Sequence, residues 1–182
     1  MARWVILLRG INVGRSVRLS MADLRRILES TGASGVATYL QSGNAVVQAP
    51  GPAKALEEEI AAAVAADVGT EITVMVRSAA AMAKTVAANP WPEAAARPKT
   101  LHVAFLTAPA GRRSVAAIDR ERFAPDEFEV KGSVVYVHLP GGFARTKLTN
   151  DLWERSLGVR STMRNWTTVS ALAGLVAGDP PA

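Results

Sequence analysis

The stretch Asn89-Pro90-Trp91-Pro92-Glu93-Ala94-Ala95-Ala96-Arg97-Pro98 decides the fold of this sequence, because the same order of elements is predicted on both sides of it. Proline fixes φ, removes a backbone donor and disfavours helix at the residue before it. Three prolines in ten residues therefore indicate a linker. We predict a first α+β lobe at residues 1–88, a Pro-rich linker at 89–99 and a second lobe at 100–182, packed as one compact unit.

The first half reads as β-α-β-β-α-β. The apolar run at residues 4–8 predicts a buried strand, and Ser20-Met21-Ala22-Asp23 resembles a capping box that opens a helix. Strands at 36–40 and 45–48 flank a hairpin turn at residues 41–44. The remaining predicted elements are a helix at 53–66, a strand at 72–76 and a short helix at 79–88.

The second half repeats this order. It is predicted as a strand at 101–106, a helix at 114–120, hairpin strands at 127–130 and 134–139, a helix at 148–157 and a strand at 159–163. Asn165 caps a final helix, and residues 178–182 are predicted to be frayed. The fold class is therefore α+β, with duplicated ferredoxin-like units that each place helices on one face of an antiparallel sheet, plus a C-terminal helix.

The composition excludes several classes of protein. With 49% hydrophobic and 20% charged residues in 182, the chain is globular rather than disordered. It has no cysteine, so disulfides and thiolate metal sites are excluded. The apolar run at residues 4–8 is shorter than a signal-peptide core, and no run approaches the roughly 20 apolar residues of a membrane span. We therefore expect a cytoplasmic protein with no membrane partner.

Positive charge is concentrated near the N-terminus. Residues 1–50 contain six arginines against Asp23 and Glu29. Such an excess attracts phosphate, nucleic acid or another acidic partner. A solvated basic face explains it equally well.

The first two polar motifs follow predicted strands. In residues 9–15, Gly10 and Gly14 would let backbone N–H groups approach a ligand, while Arg9 and Arg15 would offer forked donors to phosphate or carboxylate. This motif is neither a Walker loop nor a dinucleotide fingerprint, and a plain loop is the alternative. The second motif is Tyr39-Leu40-Gln41-Ser42-Gly43-Asn44, which is explained either by turn chemistry or by a ligand contact of Gln41.

The other two motifs open predicted helices. Residues 141–150 form a glycine-rich loop before a helix, an arrangement that suits an anion, and Lys147 in the first turn would oppose the helix dipole unless an anion meets it. In residues 164–168, Asn165 is an N-cap, Arg164 is the functional candidate and Trp166 belongs to the core. His102 lies inside a strand pattern and is interpreted as structural. His138 is interpreted in the same way, and neither a metal nor a cofactor is expected.

The four motifs together resemble a bacterial family known as domain of unknown function 1697, over a stretch from Trp4 to about Leu175. The resemblance implies a duplicated β-α-β-β-α-β unit with strands exchanged between the halves, and it implies no particular activity. Three positions depart from the family pattern. Arg15 stands where the family has a second glycine, Thr146 where it has serine, and Thr167 where it has asparagine.

The leading functional hypothesis is the binding of a small phosphorylated or carboxylated ligand in a cleft between the lobes, with or without catalysis. Lys147 is the candidate for a reacting or charge-stabilising group. The alternatives are a nucleic-acid-binding protein that uses the basic N-terminal half, and a structural or protein-interaction module. The predicted ligand-binding residues are Arg9, Gly10, Asn12, Gly14, Gln41, Ser42, Gly43, Asn44, Lys147, Arg164 and Asn165.

Overall fold

The computed structural model describes residues 1–14 and 16–178. Two compact units divide the chain. Unit 1 comprises Met1–Lys84 and Ala171–Ala182, and unit 2 comprises Thr85–Ser170. Most of the predicted frayed end, residues 179–182, lies outside the described residues. Within them, no helix combines the length and the apolar character that a membrane crossing requires.

Unit 1 is a four-stranded antiparallel sheet with strand order β2-β3-β1-β4. This is the ferredoxin-like order, in which the first and third strands lie at the centre. Its elements are β1 (Ala2–Leu8), α1 (Met21–Ser30), β2 (Ser34–Tyr39), β3 (Asn44–Ala49), α2 (Ala53–Val68), β4 (Val74–Ser78) and most of α3 (Ala79–Ala87), whose residues from Thr85 onward belong to unit 2.

The predicted capping box positions helix α1. Ser20 has extended backbone, and its Oγ accepts the Asp23 backbone N–H at 3.0 Å, which satisfies a free donor of the first turn. The aliphatic core between sheet and helices includes Leu24, Ile60 and Ile6, all fully buried. The opposite face of β1 is also buried, at Val5 and Leu7. Both faces of the central strand are therefore covered.

Unit 2 repeats the arrangement with sheet order β6-β7-β5-β8. Short 3-10 turns at Pro92–Ala96 and Pro98–Thr100 occupy the predicted linker, and further turns lie at Glu121–Phe123 and Phe143–Arg145. The elements are β5 (Leu101–Leu106), α4 (Arg112–Ala116), β6 (Glu127–Lys131), β7 (Val134–His138), α5 (Asn150–Leu157), β8 (Ser161–Asn165) and α6 (Trp166–Ala177).

Aromatic side chains fill the core of unit 2. Phe128 and Trp153 are buried with ring centroids 5.1 Å apart, and Phe123 meets Phe128 edge-on at 6.4 Å. Large rings bury more area per residue than aliphatic side chains do. This explains how α4 and α5, with five and eight residues, suffice to cover the sheet.

Several expectations about elements need correction, among them the helix predicted at 114–120, which is α4 (Arg112–Ala116), and the strand predicted at 72–76, which is β4 (Val74–Ser78). The strand exchange implied by the family resemblance is not seen in the described part of the chain, because each sheet takes its four strands from one half. Instead α6 is divided, with residues from Ala171 onward in unit 1. The fifth helix begins at Asn150 rather than Leu148, and β8 extends to Asn165 rather than ending at Met163.

Candidate functional site

One side chain holds the first two motifs together in unit 1. Asn12 has a left-handed backbone with φ +56°, and its Nδ2 donates to Leu19 O at 2.7 Å and to Gln41 O at 2.8 Å. Its Oδ1 accepts the Leu19 N–H at 3.0 Å. The amide thus joins residues 9–19, here called the Asn12 loop, to residues 40–43, the Leu40 turn. Because both ends of this amide are occupied, Asn12 supports the loops rather than presenting a free group.

The second motif is built as a tight corner. Asn44 is fully buried, and its Nδ2 donates to Tyr39 O and to Ser42 Oγ, each at 2.9 Å. Gly43 has φ +76°, and a Cβ at this position would lie 2.8 Å from Ile11 Cδ1. Glycine is therefore required by conformation and by space. The polar residues predicted from the sequence mostly shape this turn.

The outer surface of these loops differs from their interior. Gly10 and Gly14 have positive φ and open space around them, and Gln41 is exposed. Arg9 is half-buried, and its backbone N–H donates to Thr73 O at 2.9 Å. Arg15 lies outside the described residues. The ligand contacts predicted for this surface stay a prediction.

The third motif lines a groove in unit 2. The groove has a volume of about 440 Å³ and lies between residues 122–126 and the Gly141–Lys147 loop. Three cationic side chains line it, together with one carboxylate and two glycines. We call this the cationic groove and define it by Arg122, Asp126, Gly141, Gly142, Arg145 and Lys147.

Lys147 does not lie in the first turn of a helix, so the predicted conflict with a helix dipole is wrong. Thr146 Oγ1 accepts the Leu148 N–H at 3.0 Å, and the Thr149 N–H donates to Lys147 O at 3.0 Å. These bonds make a separate turn, and α5 starts only after its N-cap at Thr149. Lys147 is exposed at the wall of the groove.

Arg164 is the last but one residue of β8 and directly precedes Asn165, the cap of α6. It is 8% exposed, and its Nη1 donates to Thr162 Oγ1 at 2.8 Å and to Met163 O at 2.9 Å. Burial lowers the pKa of Arg164 to about 10. Asn165 acts as predicted, since its Oδ1 caps α6 through the Thr168 N–H at 2.9 Å.

Residues 1–136 match the sequence profile of the family described as Protein of unknown function (DUF1697). The chain belongs to this family. Among solved structures, a conserved bacterial protein from Streptococcus pneumoniae, SP0830, is similar to it with a TM-score of 0.72 and 19% identity. The similarity covers 97% of this chain and 99% of that one, and it supports the fold. No curated protein matches the sequence.

The DUF1697 match includes the Asn12 loop and the Leu40 turn but ends before the Gly141–Lys147 loop. Motifs one and two meet in unit 1, and motifs three and four both lie in unit 2. That all four line a single cleft stays a prediction. Among the described residues, no group of three or more His, Asp or Glu side chains is placed to hold a metal ion.

The sequence interpretation missed Arg77, the counterpart of Arg164 in unit 1 of this DUF1697 protein. Arg77 pairs with Val5 of β1 just as Arg164 pairs with Val103 of β5. Burial lowers the pKa of Arg77, while Glu57, with Oε1 3.8 Å from Nη1, opposes that shift. The detectable signal is an arginine directly before a helix cap in both halves, since Ser78 Oγ accepts the Ala81 N–H.

Proposed function

We propose that this protein binds a small phosphorylated or carboxylated ligand in the cationic groove of unit 2. The supporting observation is the groove's set of charges, in which Arg122, Arg145 and Lys147 face one carboxylate, Asp126. A volume of about 440 Å³ falls within the range of small-molecule sites. An anionic ligand would offset the mutual repulsion of the three cations.

Backbone accessibility supports the same ligand class. Gly142 has φ +80°, and a Cβ at Gly141 or Gly142 would meet nothing within 4 Å. The absence of side chains lets a ligand approach the backbone of this loop closely, while the Gly142 N–H itself donates to Leu139 O at 2.9 Å. The Thr146 hydroxyl accepts the Leu148 N–H and keeps its own hydrogen for a ligand oxygen.

The cationic residues of the groove have different roles in the proposed binding. Arg145 and Arg122 would give paired N–H donors to a phosphate or carboxylate, and Lys147 would add a compact charge. Lys147 remains the candidate for stabilising charge if a reaction follows binding. The proposal itself concerns binding.

The test is thermal unfolding with pyrophosphate, ribose 5-phosphate and citrate as probes. A ligand at about 100 times its Kd stabilises the folded state by roughly 2.7 kcal/mol, which shifts Tm by a few degrees. Replacing Arg145 and Lys147 by alanine removes two charge-assisted contacts, so we expect at least about tenfold weaker binding. The matched control is Arg113→Ala, an exposed arginine of α4 outside the groove.

Three results would contradict the proposal: no probe raises Tm, the double variant binds as well as the parent, or Arg113→Ala weakens binding equally. The same titration with a single-stranded oligonucleotide tests the nucleic-acid alternative, whose affinity falls steeply with salt. Base stacking on the sheet of unit 1 is disfavoured, because Val5, Leu7 and Met75 on the face opposite α1 and α2 are fully buried.

A further inference from the structure

Two apolar side chains protrude from unit 1 at one edge. Val13 in the Asn12 loop is 66% exposed, and Leu40 in the Leu40 turn is 56% exposed. The residues next to them in the chain are hydrogen-bonded to each other, since Asn12 Nδ2 donates to Gln41 O at 2.8 Å. The two apolar side chains therefore project from loops that are fixed to each other.

Leu40 has a backbone conformation that is unfavourable for leucine. Its φ is +56°, in the left-handed region, where a Cβ crowds the following carbonyl and where glycine or asparagine is favoured. Leucine usually offsets such strain by packing in a core, but more than half of this side chain is exposed. Neither the conformation nor the burial of Leu40 explains a leucine here, so a contact outside the fold is a reason for it.

The charged residues of the two loops themselves are all arginines. Residues 1–22 and 30–56 contain no aspartate or glutamate. Arg9 begins the Asn12 loop, and Arg18, which is exposed, donates from Nη2 to Gly14 O at 3.2 Å. The nearest carboxylate in sequence, Asp23, forms an ion pair with Arg26 at 3.3 Å. An occupant of this edge must accept apolar side chains and carry negative charge.

Three kinds of occupant can be compared. A protein partner needs a contiguous buried patch of roughly 800 Å² on each side, which two separate aliphatic side chains do not form. Nucleic acid rewards arginine but gains little from an exposed Leu and Val. A bilayer accepts isolated apolar side chains below its headgroups and attracts basic residues when it carries anionic lipid.

We propose that the edge formed by Val13 and Leu40 docks unit 1 reversibly on a bilayer surface that contains anionic lipid. Val13 and Leu40 enter the headgroup boundary, and the exposed Arg18 lies beside the lipid phosphates. The sequence prediction of no membrane partner rested on the lack of a span, and surface docking requires none. This inference is independent of the cationic groove, which lies in unit 2.

The test is co-sedimentation of the full chain with vesicles of phosphatidylcholine alone, and of phosphatidylcholine and phosphatidylglycerol in equal parts. We expect binding to the mixed vesicles that weakens as salt is raised. The variant Leu40→Asn, combined with Val13→Ser, removes both apolar side chains, and we expect its partitioning to fall roughly tenfold or more. Asparagine tolerates the left-handed conformation, so Leu40→Asn keeps the turn intact.

The matched control is Phe143→Ser, which removes another exposed apolar side chain, 49% exposed, from unit 2. It should leave vesicle binding unchanged, and Leu40→Asn should not lower Tm. The proposal is overturned by no vesicle binding, by equal binding to both vesicle types, by retained binding in the double variant or by equal loss in Phe143→Ser. Oligonucleotide binding without vesicle binding would also overturn the proposal.

Discussion

The two units share a sheet topology and differ in what covers the sheet. Unit 1 uses helices of 10 and 16 residues and an aliphatic core. Unit 2 uses helices of five and eight residues, and the rings of Phe128 and Trp153 supply the missing volume. One topology is thus stabilised either by long helices or by a few large side chains.

This difference has a consequence for recognition. Shorter helices leave more of the connecting chain as turns, and grooves of about 690, 440 and 360 Å³ are lined by residues of unit 2. In unit 1 the corresponding loops are bound to each other by Asn12 and expose Val13 and Leu40. Unit 2 therefore offers grooves, and unit 1 presents two exposed apolar side chains on loops that are bonded to each other.

The largest expected change in the free energy of unfolding is at the hairpin turn of unit 1, which is more closely packed than the hairpin turn of unit 2. Gly43→Ala in unit 1 combines a left-handed backbone with a Cβ 2.8 Å from Ile11 Cδ1 and 2.9 Å from Leu8 Cβ. We expect it to lower the free energy of unfolding by about 3 kcal/mol. Urea unfolding measures this change.

The matched substitution is Gly132→Ala in the hairpin of unit 2. Gly132 has φ +63°, but nothing lies within 4 Å of an added Cβ. Because only the cost of the left-handed backbone remains, we expect the free energy of unfolding to fall by about 1 kcal/mol. Equal losses at the two glycines would show that close packing does not distinguish the turns.

A smaller effect depends on pH and involves unit 2, which contains both histidines of the chain. Burial lowers the pKa of His102 to about 4, against an ordinary value of 6.5. Between these values the unfolded chain binds a proton that the folded chain does not, so stability falls as pH is lowered. From pH 7 to pH 5, His102 should contribute a loss of about 2 kcal/mol.

Urea unfolding of the parent protein and of His102→Leu at pH 5, 6 and 7 checks this expectation. The variant should show a weaker pH dependence over that window, whatever its stability at pH 7. An unchanged pH dependence would mean that folding does not lower the pKa of His102. The stacking of its ring on Phe143, with centroids 5.0 Å apart, should be lost in the variant.

The smallest effect is expected on the surface of unit 1. Arg26 joins the helices by ion pairs with Asp67 of α2 at 2.7 Å and Asp23 of α1 at 3.3 Å, but its side chain is 59% exposed. Arg26→Ala should cost less than about 1 kcal/mol, and high salt should reduce the difference. A loss above that of Gly132→Ala would show that this ion pair contributes more than an exposed pair usually does.

The periodic parts of the sequence predicted the fold. The apolar run of β1, the capping box at Ser20 and the repeated hairpins are local signals, and the structure confirms them. The start of α5 was wrong because the Thr149 N–H donates to Lys147 O in a separate turn and Thr149 O accepts the first helical bond, from the Trp153 N–H, which periodicity does not reveal. The family resemblance is confirmed by the profile match over residues 1–136.

The candidate site could be predicted from the sequence less completely than the fold could. Asn12 and Asn44 were selected as polar residues at strand ends, but only three-dimensional contacts reveal that their amides bond to the loops themselves. Arg122 was missed, because its approach to the Gly141–Lys147 loop depends on the path of residues 122–126. Leu40 was quoted only as part of a motif, since neither its φ nor its exposure can be read from a sequence.

Because helix α6 is divided between the two units, unit 1 cannot be completed until the C-terminal part of this helix has been synthesised. Residues 166–170 belong to unit 2, whereas residues 171–177 belong to unit 1, whose other part is made first. The N-terminal unit therefore waits until residues 171–177 have left the ribosome, although domains usually fold in the order in which they emerge. A stop codon after Ser170 would accordingly impair the unit that was synthesised first.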